Sequence, residues 1–195
     1  MYKTSTHQNC HFCGGDHKCR ECPKEASLSP IYKNIIGNKM EYFIADNFKC
    51  PECNCQSLFV LGNHTPSLDI ICRNCSKKFE VKSKCLSVSI IPSDINLNHG
   101  SYNNYISRLS ERLNLFVIIY GVDRISKNIT IREVLYANNS LLLNTDVINV
   151  NKNNNRSLII IKDKEKLQKL NFKKGTESYF NIMIESMNRN IIKIK

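Results

Sequence analysis

The chain has 195 residues, a hydrophobic content of 42% and a formal net charge of +11 at pH 7, which suit one globular domain with a small appendage. The basic balance makes a polyanion such as nucleic acid the first partner to consider, although a lysine-rich composition alone decides little. The longest apolar runs, 115–120 and 158–161, are too short to cross a bilayer, so we expect no membrane partner.

The chain contains ten cysteines. Its first ten residues, MYKTSTHQNC, lack the apolar core of a signal peptide, so we expect a reducing location, cytoplasmic or nuclear. In such a compartment, paired cysteines are better interpreted as thiolate metal ligands than as disulfides.

Residues 1–27 are polar and too short to form a hydrophobic core, so a metal is needed to fold them. The spacing C-x2-C-x3-H-x4-C predicts a CCHC-like zinc knuckle with four ligands: Cys10, Cys13, His17 and Cys22. Cys19 in place of His17 gives an alternative ligand set. Gly14 and Gly15 suit the tight turn of a knuckle, and Phe12 could stack on an unpaired base of a single-stranded nucleic acid.

Residues 28–195 are predicted to form the main domain. Two C-x-x-C pairs predict a four-thiolate zinc ribbon at 50–75, with the ligands Cys50, Cys53, Cys72 and Cys75. Strands are expected at 57–61 and 67–71, joined by a turn at 62–66, and the second C-x-x-C makes the turn into a strand at 78–84. A zinc ion at that turn would fix the register of the hairpin.

The hairpin also carries acidic and basic side chains. Residues two apart in a strand share a face, so Glu80 and Lys82 point one way while Phe79 and Val81 face the core. We predict that Asp69 and Glu80, assisted by the Val81 carbonyl, bind Mg²⁺ through oxygen. Lys82 would orient the attacking water and offset the charge developing at phosphorus. The alternative is that Glu80 and Lys82 form the solvated face of a half-buried strand, because E-x-K is a common tripeptide.

Hydrophobic periodicity outlines the other elements. Residues 31–47 suit one helix or two short ones broken at Gly37, and 101–113 suit a helix. Strands are expected at 115–120, 129–136 and 157–161, loops at 86–100 and 149–155, and a short basic helix at 162–170. The mixture predicts an α/β (α+β) domain.

The motifs CPEC at 50–53, DIIC at 69–72 and FEVKSK at 79–84 resemble those of the zinc-ribbon restriction endonucleases of the Dpn type. Members of that family cut adenine-methylated DNA with a PD-(D/E)xK domain. The resemblance covers roughly 40–122. It implies a restriction-endonuclease-like mixed sheet flanked by helices, and the segment from His99 to Arg108 also resembles the family. The pattern departs from the family at 66–69, so methyl-adenine specificity does not carry over.

Three further residues follow from the helices. Tyr102 and Arg108, on the helix at 101–113, are candidates for nucleic-acid contact, while burial of Tyr102 in the core is an equally simple interpretation. Glu41 lies where restriction-type nucleases often carry an accessory carboxylate, but a solvated helix face explains it more simply.

These observations predict a Mg²⁺-dependent DNA endonuclease with two structural zinc sites. Two alternatives remain open. One is a non-enzymatic, transcription-associated protein that binds nucleic acid through its zinc ribbon and zinc knuckle. The other is an RNA-directed nuclease, because zinc knuckles favour single strands.

Overall fold

The computed structural model describes residues 30–61, 68–86, 91–123, 128–153 and 156–172. The zinc knuckle predicted at 1–27 lies outside the described residues, with its ligands Cys10, Cys13, His17 and Cys22 and with Phe12. The turn predicted at 62–66 also lies outside them. Within the described ranges, no helix has the length and hydrophobicity that a membrane crossing requires.

The fold is mixed α+β, with a core made mostly of sheet. Its elements in chain order are α1 (Pro30–Asn47), β1 (Leu58–Val60), β2 (Ile70–Cys72), β3 (Lys78–Cys85), β4 (Ile95–Ser101), α2 (Tyr102–Ser110), β5 (Asn114–Asp123), β6 (Asn128–Ala137), α3 (Asn139–Leu142), β7 (Ile148–Asn153), β8 (Arg156–Ile161) and β9 (Gln168–Leu170). A 3₁₀ turn, Lys164–Lys166, precedes β9. This architecture confirms the predicted restriction-endonuclease-like class.

The strands form a six-stranded sheet in the order β1-β2-β3-β5-β6-β9 and a three-stranded sheet in the order β4-β8-β7. β3 and β5 run parallel, and the other described pairs are antiparallel. The chain passes from β3 to β5 through β4 and α2, because a parallel pair requires a crossover connection.

The large sheet is covered on both faces, as the continuous apolar run of β5 predicts. Phe116 and Ile118 of β5 pack in one core cluster with Met40, Phe43 and Ile44 of α1. A second cluster covers the opposite face and joins the alternate residues of β5 to the small sheet: Leu115, Val117, Ile119, Ile95, Leu97, Ile159 and Ile161. The large sheet therefore lies between α1 and the small sheet.

The break predicted at Gly37 is wrong, since α1 is continuous through this residue. Ile36, Met40, Phe43 and Ile44 recur at three- and four-residue spacing and are all buried. Their burial against the sheet outweighs the cost of about 1 kcal/mol that a glycine imposes on a helix interior.

Three other predicted elements differ from the structure. The predicted loops at 86–100 and 149–155 contain strands β4 and β7, and the helix predicted at 162–170 is replaced by the 3₁₀ turn and β9. β4 and β7 are rich in asparagine, but both pair with the apolar strand β8. Pairing and burial of alternate residues decide the conformation here, because strand propensity depends on context.

Glu133 ties β6 to the segment that follows the small sheet. Its two carboxylate oxygens lie 2.9 Å from Lys164 Nζ and 3.0 Å from Lys169 Nζ. Burial acts to raise the pKa of Glu133, but the hydrogen bonds and charges of the two lysines outweigh it and hold the pKa below its usual value. The carboxylate is therefore stabilised in its charged form.

Gly37→Ala should stabilise the protein by about 0.5–1 kcal/mol, because alanine has the higher helix propensity. A Cβ at this position meets no atom within 4 Å. Urea unfolding followed by circular dichroism measures the change. Gly121→Ala is the contrasting control, since its Cβ would lie 2.7 Å from Arg132 Nη2 and should give no gain. A loss of stability in Gly37→Ala would contradict a continuous α1.

Glu133→Gln should lower the free energy of unfolding at neutral pH by about 1–3 kcal/mol, because both lysines lose a charged partner. A lowered native pKa means that the unfolded chain takes up the proton first as the pH falls. The Glu133 contribution is therefore present above the unfolded pKa and is lost in acid, below about pH 4.5. Urea unfolding at several pH values should show wild type and variant converging as the pH falls. A constant difference would contradict this.

Candidate active site and zinc site

The four predicted ribbon cysteines come together. The Sγ atoms of Cys50, Cys53, Cys72 and Cys75 all lie within 4.8 Å of one another. Cys50 and Cys75 are 3.6 Å apart at sulfur, as are Cys53 and Cys72. A tetrahedron with Zn–S bonds of about 2.3 Å has sulfur–sulfur edges of about 3.8 Å. The cluster can therefore hold a zinc ion.

The two C-x-x-C pairs share one backbone geometry. In each, the N–H of the residue after the second cysteine donates to the carbonyl of the first, at 2.8 Å, as Asn54 does to Cys50 and Ser76 does to Cys72. Asn54 has φ 57° and Ser76 has φ 55°, in the left-handed region that favours glycine. Because neither Asn54 nor Ser76 is a glycine, the sequence gives no sign of this left-handed backbone geometry.

The thiols of Cys50 and Cys72 ionise differently. Burial acts to raise the pKa of Cys72, but the hydrogen bond with Ser57, whose Oγ is 3.0 Å from the sulfur, and nearby backbone N–H groups lower it to about 6. Burial raises the pKa of Cys50. Because zinc binds thiolates, Cys72 is already prepared as a ligand, whereas ionisation of Cys50 depends more strongly on the metal.

A buried polar link joins the ribbon to the sheet. The Tyr136 hydroxyl lies 2.5 Å from Glu52 Oε1 in the first C-x-x-C loop and 3.3 Å from Asn114 Oδ1. Asn114 is 2% exposed and donates through Nδ2 to the Lys78 carbonyl at 3.1 Å. The link positions the ribbon beside the start of β3. Sequence reasoning missed all three side chains, because their partners are distant in the chain.

Asp69 lies beside the part of β3 that carries Glu80. It precedes β2 rather than lying in the strand, contrary to the prediction, and its N–H donates to the Phe79 carbonyl at 3.3 Å. The pairing of β2 with β3 begins just after it, at Ile70 and Phe79. The Val81 N–H donates to Asp69 Oδ2 at 2.7 Å, which turns this carboxylate toward β3.

Glu80 and Lys82 are not a solvated strand face. Glu80 is 3% exposed and Lys82 24%, and the ammonium of Lys82 contacts the Glu80 carboxylate. They are aligned with Leu115 and Val117 on β5, so they lie on the face of the large sheet that the second core cluster covers. Because burying a charged pair is costly, this placement is typical of a functional site.

A third carboxylate, Glu41 of α1, lies near enough to Asp69 and Lys82 to interact with their charges. Glu41 is partly buried, so the simpler interpretation of a solvated helix face is wrong. Burial first, and then the negative charge of Asp69, raises the pKa of Glu41 to about 7, while Lys82 acts in the opposite direction. The helix spacing in the sequence gave no sign of this, since Glu41 lies next to Met40 on the edge of the buried stripe.

Other candidate residues are less closely placed. Within the described ranges, the four thiols are the only group of three or more metal-ligating side chains whose ligand atoms lie within 4.8 Å of one another. The carboxylate oxygens of Glu41, Asp69 and Glu80 therefore do not all lie within 4.8 Å of one another.

The two nucleic-acid candidates on α2 are not tested by the structure. Tyr102 begins α2 and is partly buried, while the side chain of Arg108 lies outside the described structure. A nucleic-acid contact by either residue stays a prediction.

The chain matches the model of a known protein family. A family model described as "DpnI: Dam-replacing family" matches residues 29–164, more than two thirds of the chain. The chain belongs to this family. The match begins before α1 and ends at the 3₁₀ turn, so it extends beyond the resemblance at 40–122. A search of curated proteins found no match. Because DpnI is a restriction endonuclease family, nuclease activity with DNA as the substrate is supported.

Cys72→Ser should remove one zinc ion per chain relative to wild type, because the remaining three thiolates cannot close a tetrahedral structural site. Atomic absorption on purified protein measures the loss. Cys55→Ser is the matched control and should keep the wild-type zinc content, since Cys55 lies outside the cluster of four. An unchanged zinc content in Cys72→Ser would contradict the assigned ligand set.

Proposed function

We propose that this protein is a Mg²⁺-dependent DNA endonuclease whose active site is formed by Asp69, Glu80 and Lys82, with Glu41 as a further acidic residue. One observation carries the proposal. In a chain of the DpnI family, the Asp69 carboxylate accepts from the Val81 N–H, between Glu80 and Lys82, and the ammonium of Lys82 contacts the Glu80 carboxylate. Structural roles alone seldom bury such a group of charges.

The donor set suits a hard cation. Glu41, Asp69 and Glu80 offer carboxylate oxygens, which Mg²⁺ prefers. The negative charge of Asp69 contributes to the raised pKa of Glu41, which shows that the carboxylates repel one another. A divalent cation between them would relieve that repulsion. Asp69, Glu80 and the Val81 carbonyl would hold the cation. When bound, Mg²⁺ supplies polarisation of a phosphoryl oxygen and acidification of water.

In the proposed reaction, Lys82 acts through its positive charge and does not bind the metal. Its contact with Glu80 holds the ammonium beside the carboxylates, where it can orient a water molecule by hydrogen bonding. The water oxygen forms a bond to phosphorus, and one bridging P–O bond breaks. The leaving oxygen keeps the electron pair and is protonated from solvent, while the attacking water loses its proton to solvent. Lys82 offsets the negative charge that builds up on the phosphoryl oxygens.

The zinc ribbon serves this chemistry by position. Cys72 and Cys75 close the turn between β2 and β3, and Asp69 and Glu80 lie on either side of that turn. Opening the turn frees the register on which their alignment depends. Cys72→Ser is therefore expected to lose cleavage as well as zinc, although zinc takes no part in the reaction.

Family membership favours this function over a non-enzymatic zinc protein. The preference for DNA over RNA rests on the same membership. Competition between duplex DNA and single-stranded RNA in the cleavage assay separates the DNA endonuclease from an RNA-directed nuclease.

Asp69→Asn and Lys82→Ala should each lower the rate of Mg²⁺-dependent plasmid nicking by about 100-fold or more, because each removes a charge that the transition state requires. Gel assays on adenine-methylated and unmethylated supercoiled plasmid measure the rate. Glu41→Gln should instead raise the Mg²⁺ concentration that gives the half-maximal rate.

Asp46→Asn and Lys166→Ala are matched controls. Both residues are exposed, and the two substitutions remove the same charges outside the proposed active site. They should nick at the wild-type rate. Circular dichroism should show that every variant is folded. If the wild type nicks neither plasmid in the presence of Mg²⁺, the proposed function fails. Wild-type nicking by Lys82→Ala would remove Lys82 from the active site.

A further inference from the structure

One face of the large sheet extends from the active site to the outer surface of the zinc ribbon. Residues two apart in a strand share a face, so Lys78 and Glu80 of β3 point the same way. Ile71 of β2 pairs with Lys78, and Phe59 of β1 pairs with Ile71, and cross-strand partners also share a face. Phe59, with Arg73 stacked on its ring, therefore lies on the face that carries Glu80.

Phe59 and Arg73 form a stacked pair on this surface. Arg73 Cζ lies 3.7 Å from the centroid of the Phe59 ring. Phe59 is 44% exposed, whereas its neighbours Leu58 and Val60 pack into the core cluster beneath α1. The ring is thus not needed to fill the core. It limits the movement of the guanidinium, while the N–H donors at the guanidinium edge remain available to an anion.

Arg73 also supplies positive charge. Within the described parts of the chain, Arg73 makes no ion pair with a carboxylate. Lys78, the cross-strand partner of Ile71, shares the face, and its ammonium lies 3.3 Å from Glu111. Four residues of extended chain span about 13 Å, so the Cα atoms of Asp69 and Arg73 are separated by no more than about that distance. Duplex DNA rises about 3.4 Å per base pair, so this limit corresponds to about four base pairs.

We infer that this face, formed by Phe59, Ile71, Arg73 and Lys78, binds the duplex flank of the DNA substrate, with Arg73 contacting a backbone phosphate within about four base pairs of the scissile bond. The inference rests on the proposed function and identifies how the substrate is held. Phe59 is a positioning residue. The guanidinium already stacks on its ring and carries the charge that a phosphate binds, which favours a phosphate contact over stacking of an unpaired base.

Salt-dependent binding tests this inference. Affinity for a fluorescein-labelled 30-base-pair duplex is measured by anisotropy without added Mg²⁺, over a range of salt concentrations. Arg73→Ala should weaken binding by about three- to tenfold near 0.1 M salt and reduce the slope of log K against log salt by about 1, the value for one lost phosphate contact. Phe59→Leu should weaken binding by about two- to fivefold with less change in slope.

Lys166→Ala is the matched charge control, because it removes one exposed positive charge in the turn before β9, at the opposite edge of the large sheet. Lys166→Ala should reduce the slope of log K against log salt less than Arg73→Ala does. Zinc content should stay at the wild-type value in Arg73→Ala, whose backbone N–H still donates to the Ser57 carbonyl. In plasmid nicking, Arg73→Ala should raise KM and leave kcat near the wild-type value.

The outcomes separate this inference from the proposed function. If wild type nicks plasmid and Arg73→Ala matches Lys166→Ala in affinity and slope, the duplex contact is wrong and the endonuclease stands. If Arg73→Ala weakens the binding of single-stranded DNA alone, the duplex contact is also wrong, and base stacking on Phe59 is favoured. If wild type fails to nick but the slope changes as expected, the surface binds DNA and the proposed reaction fails.

Discussion

The register between β2 and β3 is the constraint on which the proposed active site depends. Side chains alternate between faces along a strand, so a slip of one residue would place Asp69 beside the wrong face of β3. The turn closed by the four clustered thiols and the hydrogen bond from Val81 to Asp69 both oppose such a slip. The link from Glu52 through Tyr136 to Asn114 holds the same turn against the sheet. Several independent contacts therefore fix a single alignment of two short strands.

The contact between Glu80 and Lys82 shows what this alignment costs. Glu80 is buried and Lys82 is only 24% exposed beside Leu115 and Val117, where apolar side chains of similar size would be at least as stable. The remainder of the core compensates, since the large sheet is covered on both faces by apolar clusters. Stability is thus concentrated around β5, whereas the edge toward β1 carries the charged groups. Such a division is common where a site requires groups that folding alone would not select.

Parts of the fold with a local chemical signal could be predicted from the sequence. A signal within the segment itself predicts three features: the two C-x-x-C pairs, the E-x-K strand and the apolar run of β5. β4 and β7 could not be predicted, because their asparagine-rich segments become strands only beside β8. Glu41 was misjudged for the same reason. Its neighbours along the helix do not reveal that tertiary packing brings it near Asp69.

The two proposed metal sites occupy one hairpin without competing for each other's ion. Thiolates such as Cys72 select zinc, while carboxylates such as Asp69 and Glu80 favour Mg²⁺. Asp69 is only three residues before Cys72, so ligand chemistry, rather than distance along the chain, separates the sites. A ribbon held by zinc rather than by Mg²⁺ would keep its outer face, with Phe59 and Arg73, in place whether or not the carboxylates hold a cation. In this arrangement substrate binding can precede the metal-dependent step.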